Sequence, residues 1–89
     1  LMSKNSLQEL RLYCCNLNTL SINIIAKALK TNTTLRKLDL SKNDIDTAGF
    51  RYIAELLNTN STLYSLRLVG NNIGIEETKL IVESLSANN

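Results

Sequence analysis

One nine-residue word returns three times at a fixed interval of 28 residues: Leu7-x-x-Leu10-x-Leu12-x-x-Cys15, Leu35-x-x-Leu38-x-Leu40-x-x-Asn43 and Leu63-x-x-Leu66-x-Leu68-x-x-Asn71. A chain with this register builds the same local unit three times. Within the word, Leu10 and Leu12 step by two, the period of a strand with one apolar face. Later in each unit four aligned columns step by three, one and three residues: Ile22, Phe50 and Thr78; Ile25, Ile53 and Ile81; Ala26, Ala54 and Val82; Leu29, Leu57 and Leu85. That spacing lays one stripe along a helix. The pattern predicts strands near 9–13, 37–41 and 65–69 and helices near 19–30, 47–58 and 75–86. A lone strand-helix unit cannot bury its apolar face, whereas a neighbour of the same shape can cover it. Leu7, Leu10 and Leu12 are expected to point between strand and helix, where Ile25 and Leu29 meet them. Successive strands should pair in parallel, about 4.8 Å apart. Helices need more width than strands, so the expected architecture is an α/β solenoid, a horseshoe segment with strands concave and helices convex.

The column that closes the word holds Cys15, Asn43 and Asn71, just where the chain leaves the strand. An Asn buried there can bond backbone groups that the turn leaves unpaired. The expected role of all three is structural, with Cys15 a small buried residue of weaker bonding power.

These words and columns resemble the ribonuclease-inhibitor-like subfamily of leucine-rich repeats, which includes the repeat regions of NOD-like receptors and of the GTPase activator for Ran. The resemblance spans Leu1 to Asn89. It is closest in the middle unit, where Asn43, Ile45, Gly49, Ile53, Ala54, Leu57 and Asn60 match the family pattern in order. The first unit departs at Cys15 and has Ser21 in the column of Gly49. The third has Glu77 in that column and Thr78 in an inward one, so its helix is expected to pack less well. The resemblance implies that a protein ligand engages the concave strand face or the adjoining loops.

Residues 1–89 form a single segment of three units starting at 7, 35 and 63. Leu1–Ser6 align with Leu29–Thr34, a helix tail and return loop, and Asn88 falls in the column of Asn32 and Asn60. With no starting Met, the expectation is a piece of a longer array with additional repeats or domains. The chain is 44% hydrophobic and 20% charged with a formal net charge of +2, ordinary for a globular domain. No apolar run approaches the length of a membrane span and no signal peptide is visible. The two cysteines, Cys14 and Cys15, are adjacent on a strand edge and should face different ways, which disfavours a disulfide between them. A reducing cytoplasm is the expected setting. Asn32-Thr33-Thr34 and Asn60-Ser61-Thr62 fit glycosylation acceptors, but both recur at the helix-to-strand return, where such residues serve turns.

Catalytic chemistry finds little footing. The chain has no His, so a Ser/His or Cys/His nucleophile pair cannot form within it. Two adjacent Cys do not make a four-ligand zinc site, and Gly49, Gly70 and Gly74 form no phosphate loop. Asp44-Ile45-Asp46 reads as a loop that starts the helix at 47. No enzyme activity, metal or cofactor is expected. The outward strand columns are Glu9, Lys37 and Ser65; Arg11, Asp39 and Arg67; Tyr13, Ser41 and Val69. Glu9 should face Lys37, with Arg11 and Arg67 flanking Asp39. This is either a self-compensating charge ladder or a protein-binding face, and the two can coexist. The candidate contacts are Arg11, Tyr13, Lys37, Asp39 and Arg67, with the aromatic and the arginines as anchors. Carboxylates interrupt the cations and the aromatics form no stacking platform, so nucleic acid is not the expected partner. The predicted function is a protein-protein interaction module whose partner the sequence does not name. The alternative is a regulatory segment of a GTPase activator or an actin-capping protein.

Overall fold

In a computed structural model the described residues are 7–87, with side-chain surroundings described through residue 84. The alignments of Leu1–Ser6 and Asn88, and the inward direction of Leu85, lie outside them. Strands and helices alternate: β1 (Glu9–Arg11), α1 (Thr19–Lys30), β2 (Lys37–Asp39), α2 (Thr47–Thr59), β3 (Ser65–Arg67) and α3 (Ile75–Ala87). The sheet runs β1-β2-β3 in chain order, all parallel. Leu10 lies opposite Leu38 and Leu38 opposite Leu66, so the lateral register is the 28-residue period itself. The helices form a second layer in which α2 contacts both α1 and α3.

The helices start and stop within one residue of the predicted spans, because each start is chemically marked. Asn18 caps α1 by accepting the Ser21 amide at 2.8 Å, and Asp46 caps α2 by accepting the Gly49 amide at 2.8 Å. At the third start the roles reverse: the Glu77 carboxylate reaches back to the Gly74 amide at 2.8 Å. The strands are two residues shorter than predicted. Cys14, Lys42 and Gly70 share a column and all have positive φ (54°, 57° and 77°), so the chain turns off the sheet there. Cross-unit pairing nevertheless continues past the strands: the Leu40 amide donates to Arg67 O at 2.9 Å and the Lys42 amide to Val69 O at 2.8 Å.

Core quality falls off from the centre. Of the large side chains that are fully buried, Leu35, Leu38, Leu40, Phe50, Ile53 and Leu56 belong to the middle unit, and Ile22 alone comes from the first. Leu7, Leu10, Leu12 and Ile25 pack against this core but are only partly buried, as are Leu66, Leu68 and Ile81. Among the described residues the middle unit has a neighbour on both sides, and each outer unit has one. Leu56 is a core residue outside the four aligned columns; its own column holds Ala28 and Ser84, which carry no repeated apolar signal.

Further polar contacts join the units. The Thr19 hydroxyl donates to Asp46 at 2.8 Å and the Thr47 hydroxyl to Glu77 at 2.5 Å, so each helix start is tied to the next. The Gly49 amide and the Thr19 hydroxyl hold the Asp46 carboxyl below the usual carboxylate range. The Thr47 hydroxyl is the leading cause of the same shift at Glu77. Expected to weaken the third helix, Glu77 is instead buried and stitches α3 to α2. Thr78 fits the expectation better, being exposed with its hydroxyl donating to Gly74 O at 2.8 Å. At the return corner Asn60 is buried, and its side-chain amide donates to Leu29 O at 2.9 Å. Its oxygen accepts the Thr62 and Leu63 amides, and Asn32 does the same for Thr34 and Leu35. Both acceptor-like triplets therefore act as turns, and the Asn60 nitrogen faces inward rather than toward a modifying enzyme.

Leu40 is 1% exposed in the best-packed layer. Leu40→Ala is expected to cost about 2–5 kcal/mol through lost burial and a cavity, whereas exposed Arg67→Ala should cost under about 1 kcal/mol. Urea unfolding of the two variants checks this; equal losses would contradict the inward direction of Leu40.

Candidate functional site

The short strands turn three rows of side chains outward. The first row is Glu9, Lys37 and Ser65, and the second is Arg11, Asp39 and Arg67, as the Cα register requires. A third row, Tyr13, Ser41 and Val69, follows where the chain leaves the strands. The first two rows line a shallow depression of about 390 Å³. Four of the five candidate contacts are exposed, and Asp39 is half-buried between its neighbours.

The charges pair differently from the simple cross-strand expectation. Glu9 lies opposite Lys37 in Cα register, but its carboxylate bonds Arg11, two residues along the same strand. The reason is parity: Glu9 and Arg11 share one face, and the long guanidinium reaches back with a donor fork that Lys lacks. Asp39 is flanked by Arg11 and Arg67 as expected, with Arg67 Nε at 3.9 Å. The Ser41 amide donates to Asp39 at 3.0 Å. The Ser41 hydroxyl and amide are the leading causes that hold the Asp39 carboxyl below the usual range, and the charges of Arg67 and Arg11 add to them.

In the third row Tyr13 is 52% exposed and Val69 59%, while Ser41 between them is 3% exposed. The Ser41 hydroxyl accepts the Val69 amide at 3.1 Å. The Lys42 ammonium lies 5.6 Å from the centre of the Tyr13 ring, a cation–π distance. Lys42, a cation of this face outside the five candidate contacts, owes its place beside Tyr13 to the left-handed turn at residue 42. Tyr64, also outside the five, is 71% exposed just before β3.

Asn43 and Asn71 hold this face in place. The Asn43 side-chain oxygen accepts the Cys15 amide at 2.9 Å and the Leu17 amide at 3.2 Å, both in the preceding unit. Its amide nitrogen donates to Leu12 O at 2.8 Å and Leu40 O at 3.0 Å. Asn71 repeats the pattern one unit on, accepting the Asn43 and Ile45 amides at 3.0 and 3.1 Å and donating to Leu40 O at 2.9 Å. Cys15 departs from expectation: it is exposed, and its thiol donates to the Tyr13 carbonyl at 3.4 Å. An Asn in this column is covered by the turn of the unit before it, and no such turn precedes Cys15 among the described residues. Cys14 and Cys15 are both free thiols. They lie in the turn rather than on a strand edge, since β1 ends at Arg11.

A second depression, of about 540 Å³, lies on the outer flank of α3 among Ile73, Ile75, Thr78 and Val82. The columns of Thr78 and Val82 are buried in the first two units, at Ile22, Phe50, Ala26 and Ala54. Among the described residues no helix is long and apolar enough to cross a membrane.

Comparison with known proteins agrees with this geometry. Leucine-rich-repeat family models match residues 6–28 and 31–54. No curated protein matches the chain. Among solved structures, that of leiomodin-1 actin-binding site 2 is similar, with 25% sequence identity and a TM-score of 0.86 over 92% of this chain and 48% of that one. The chain thus spans about half the length of that structure. Together the three parallel strands, the three helices and the two family matches support a leucine-rich-repeat protein, a class whose repeats generally mediate protein-protein interaction and are typically non-enzymatic.

Folding lowers the Asp39 pKa, so the ionised carboxylate stabilises the fold above the ordinary range, about pH 4. That contribution fades as the pH falls through the lowered value. In a carboxyl-carbon NMR titration, Ser41→Ala should raise the Asp39 midpoint more than Arg67→Ala does. The opposite order would make the arginines, not Ser41, the leading cause.

Proposed function

We propose that this chain is a non-catalytic interaction module that engages a protein partner through its strand face, with Arg11, Tyr13, Lys37, Asp39 and Arg67 as contacts. The observation that carries the proposal is that Arg11, Lys37, Asp39 and Arg67 line one open depression of the strand face, with exposed Tyr13 two residues beyond Arg11. Arginine and tyrosine are the residue types that most often dominate interfaces. Asn43 and Asn71 act beneath the face as positioning residues. We assign the repeats to the ribonuclease-inhibitor-like subfamily on the 28-residue period and the full helix in every unit. The three units belong to a longer, curved array with strands concave, in a cytoplasmic protein. The apolar flank of α3 supports this, because the columns of Thr78 and Val82 are buried in both units that another unit follows.

A second reading has one observation in its favour. The similar solved structure is an actin-binding site of leiomodin-1. On this reading the partner is actin, and the same strand face is the candidate contact.

Changing Arg11, Tyr13 and Arg67 together to Ala should leave the helical circular dichroism intact and weaken partner binding by about 30-fold or more, the scale of at least one lost hot spot. Quantitative affinity capture from cell extract, wild type against the triple variant, identifies partners that depend on the face. Titration of each purified partner then gives the affinities. Co-sedimentation with actin tests the second reading in the same two proteins. Unchanged affinity in the folded triple variant would move the contact to the loops or the helices.

A further inference from the structure

We propose that the strand face takes an extended acidic segment of its partner, with one carboxylate on Lys37 and an apolar side chain four residues further on seated between Tyr13 and Val69. The inference rests on the strand-face reading above and adds the chemistry of the partner.

The charge pattern carries the first half. Three cations, Arg11, Lys37 and Arg67, share the depression with two carboxylates, Glu9 and Asp39. Glu9 is taken by Arg11. Asp39 is engaged by the Ser41 amide and by Arg67. The Lys37 ammonium, on the exposed side of the central strand, has no ionic or hydrogen-bond partner among the described residues. The uncompensated charge of the face is therefore positive and located at one residue, with Lys42 adding a second cation at the turn. The Ser65 hydroxyl lies beside Lys37 in the next strand and is a ready second donor to a carboxylate. A polyanion with a charge on every unit would meet Glu9 beside Lys37 and Asp39 one row further on. A single acid with uncharged neighbours avoids both repulsions.

The third row carries the second half. Tyr13 and Val69 stand exposed on either side of Ser41, so a small residue floors a notch between two large ones. An apolar side chain of the partner seated there meets the exposed Tyr13 and Val69, beside the Lys42 ammonium on the Tyr13 ring. From Lys37 to Ser41 is four residues, about 13 Å along an extended chain. In an extended partner, positions i, i+2 and i+4 point the same way. Position i then meets Lys37, i+2 passes over the Arg11–Asp39–Arg67 row with an uncharged side chain, and i+4 fills the notch.

The test uses a fluorescein-labelled peptide of about twelve Ser and Thr residues carrying one Glu and, four positions later, one Leu. Variants replace the Glu by Gln or Lys, or move the Leu to the third position, where an extended chain points it away. By fluorescence anisotropy the protein should prefer the Glu peptide over the Gln peptide by about tenfold, the scale of one charge-assisted contact. Added salt should narrow the preference, and moving the Leu should weaken binding. Lys37→Met should abolish the Glu preference, and Lys37→Glu should invert it in favour of the Lys peptide, with circular dichroism unchanged in both. Equal affinity for Glu and Gln peptides, a preference that survives Lys37→Met, or no binding of any peptide overturns the proposal. None of these results touches the strand-face reading, which fails separately if the triple variant keeps the partners captured by the wild type.

Discussion

The rest of the structure depends on one contact: an asparagine, buried in the middle unit and half-buried in the third, that accepts backbone amides of the unit before it and donates to that unit's carbonyl. Asn43 does this toward Cys15, Leu17 and Leu12 O, and Asn71 toward Asn43, Ile45 and Leu40 O. Every parallel strand here must be followed at once by a turn that leaves the sheet. Such a turn strands amide and carbonyl groups at the edge of an apolar core, where an unpaired group costs about 1–3 kcal/mol. A side chain with both a donor and an acceptor satisfies the two kinds of group together. It also fixes the offset between units, because the bonds form only when turn lies over turn. The parallel register, the apolar layers and the flat row of outward side chains follow from that offset.

The same logic explains how much of the molecule was legible beforehand. The leucine words carried strand parity and register, and the four apolar columns carried the helix spans, because each signal is local and repeats. What could not be read was decided by neighbours in space. Cys15 occupies an asparagine column but is exposed, since burial there comes from a preceding turn, and none precedes it among the described residues. Leu56 is fully buried though its aligned residues Ala28 and Ser84 hide the pattern. Glu77 looked like a charge in the wrong place and is instead a cap that accepts a hydroxyl of the helix before it. At the candidate face the residues were legible, because alternation along a strand is strict. Their partners were not, because long side chains choose among several neighbours: Glu9 takes Arg11 over Lys37.

That choice has a functional consequence. A perfectly compensated ladder would offer a partner nothing but desolvation cost. Pairing within β1 releases Lys37, and the tie of Asp39 to Ser41 and Arg67 keeps that carboxylate from taking Lys37 in turn. The scaffold beneath is held by the asparagine bridges, so the five candidate contacts are presented without a large ordering cost on binding. The outer flank of α3, with Ile73, Ile75 and Val82 exposed, is a surface of a different kind. It is apolar where the strand face is charged, and it continues the stacking columns rather than the outward rows.

The most direct measurement of this account is amide hydrogen exchange, residue by residue, in Asn43→Ala against the wild type. The Cys15 and Leu17 amides lie in a different unit, 28 and 26 residues from Asn43, and the asparagine oxygen is their acceptor. The account predicts that both lose protection by about tenfold or more in the variant, while the Ile53 amide inside α2 changes no more than the drop in global stability requires. Cys15 and Leu17 amides that stay as protected as in the wild type would contradict it and show that apolar stacking alone sets the offset between units.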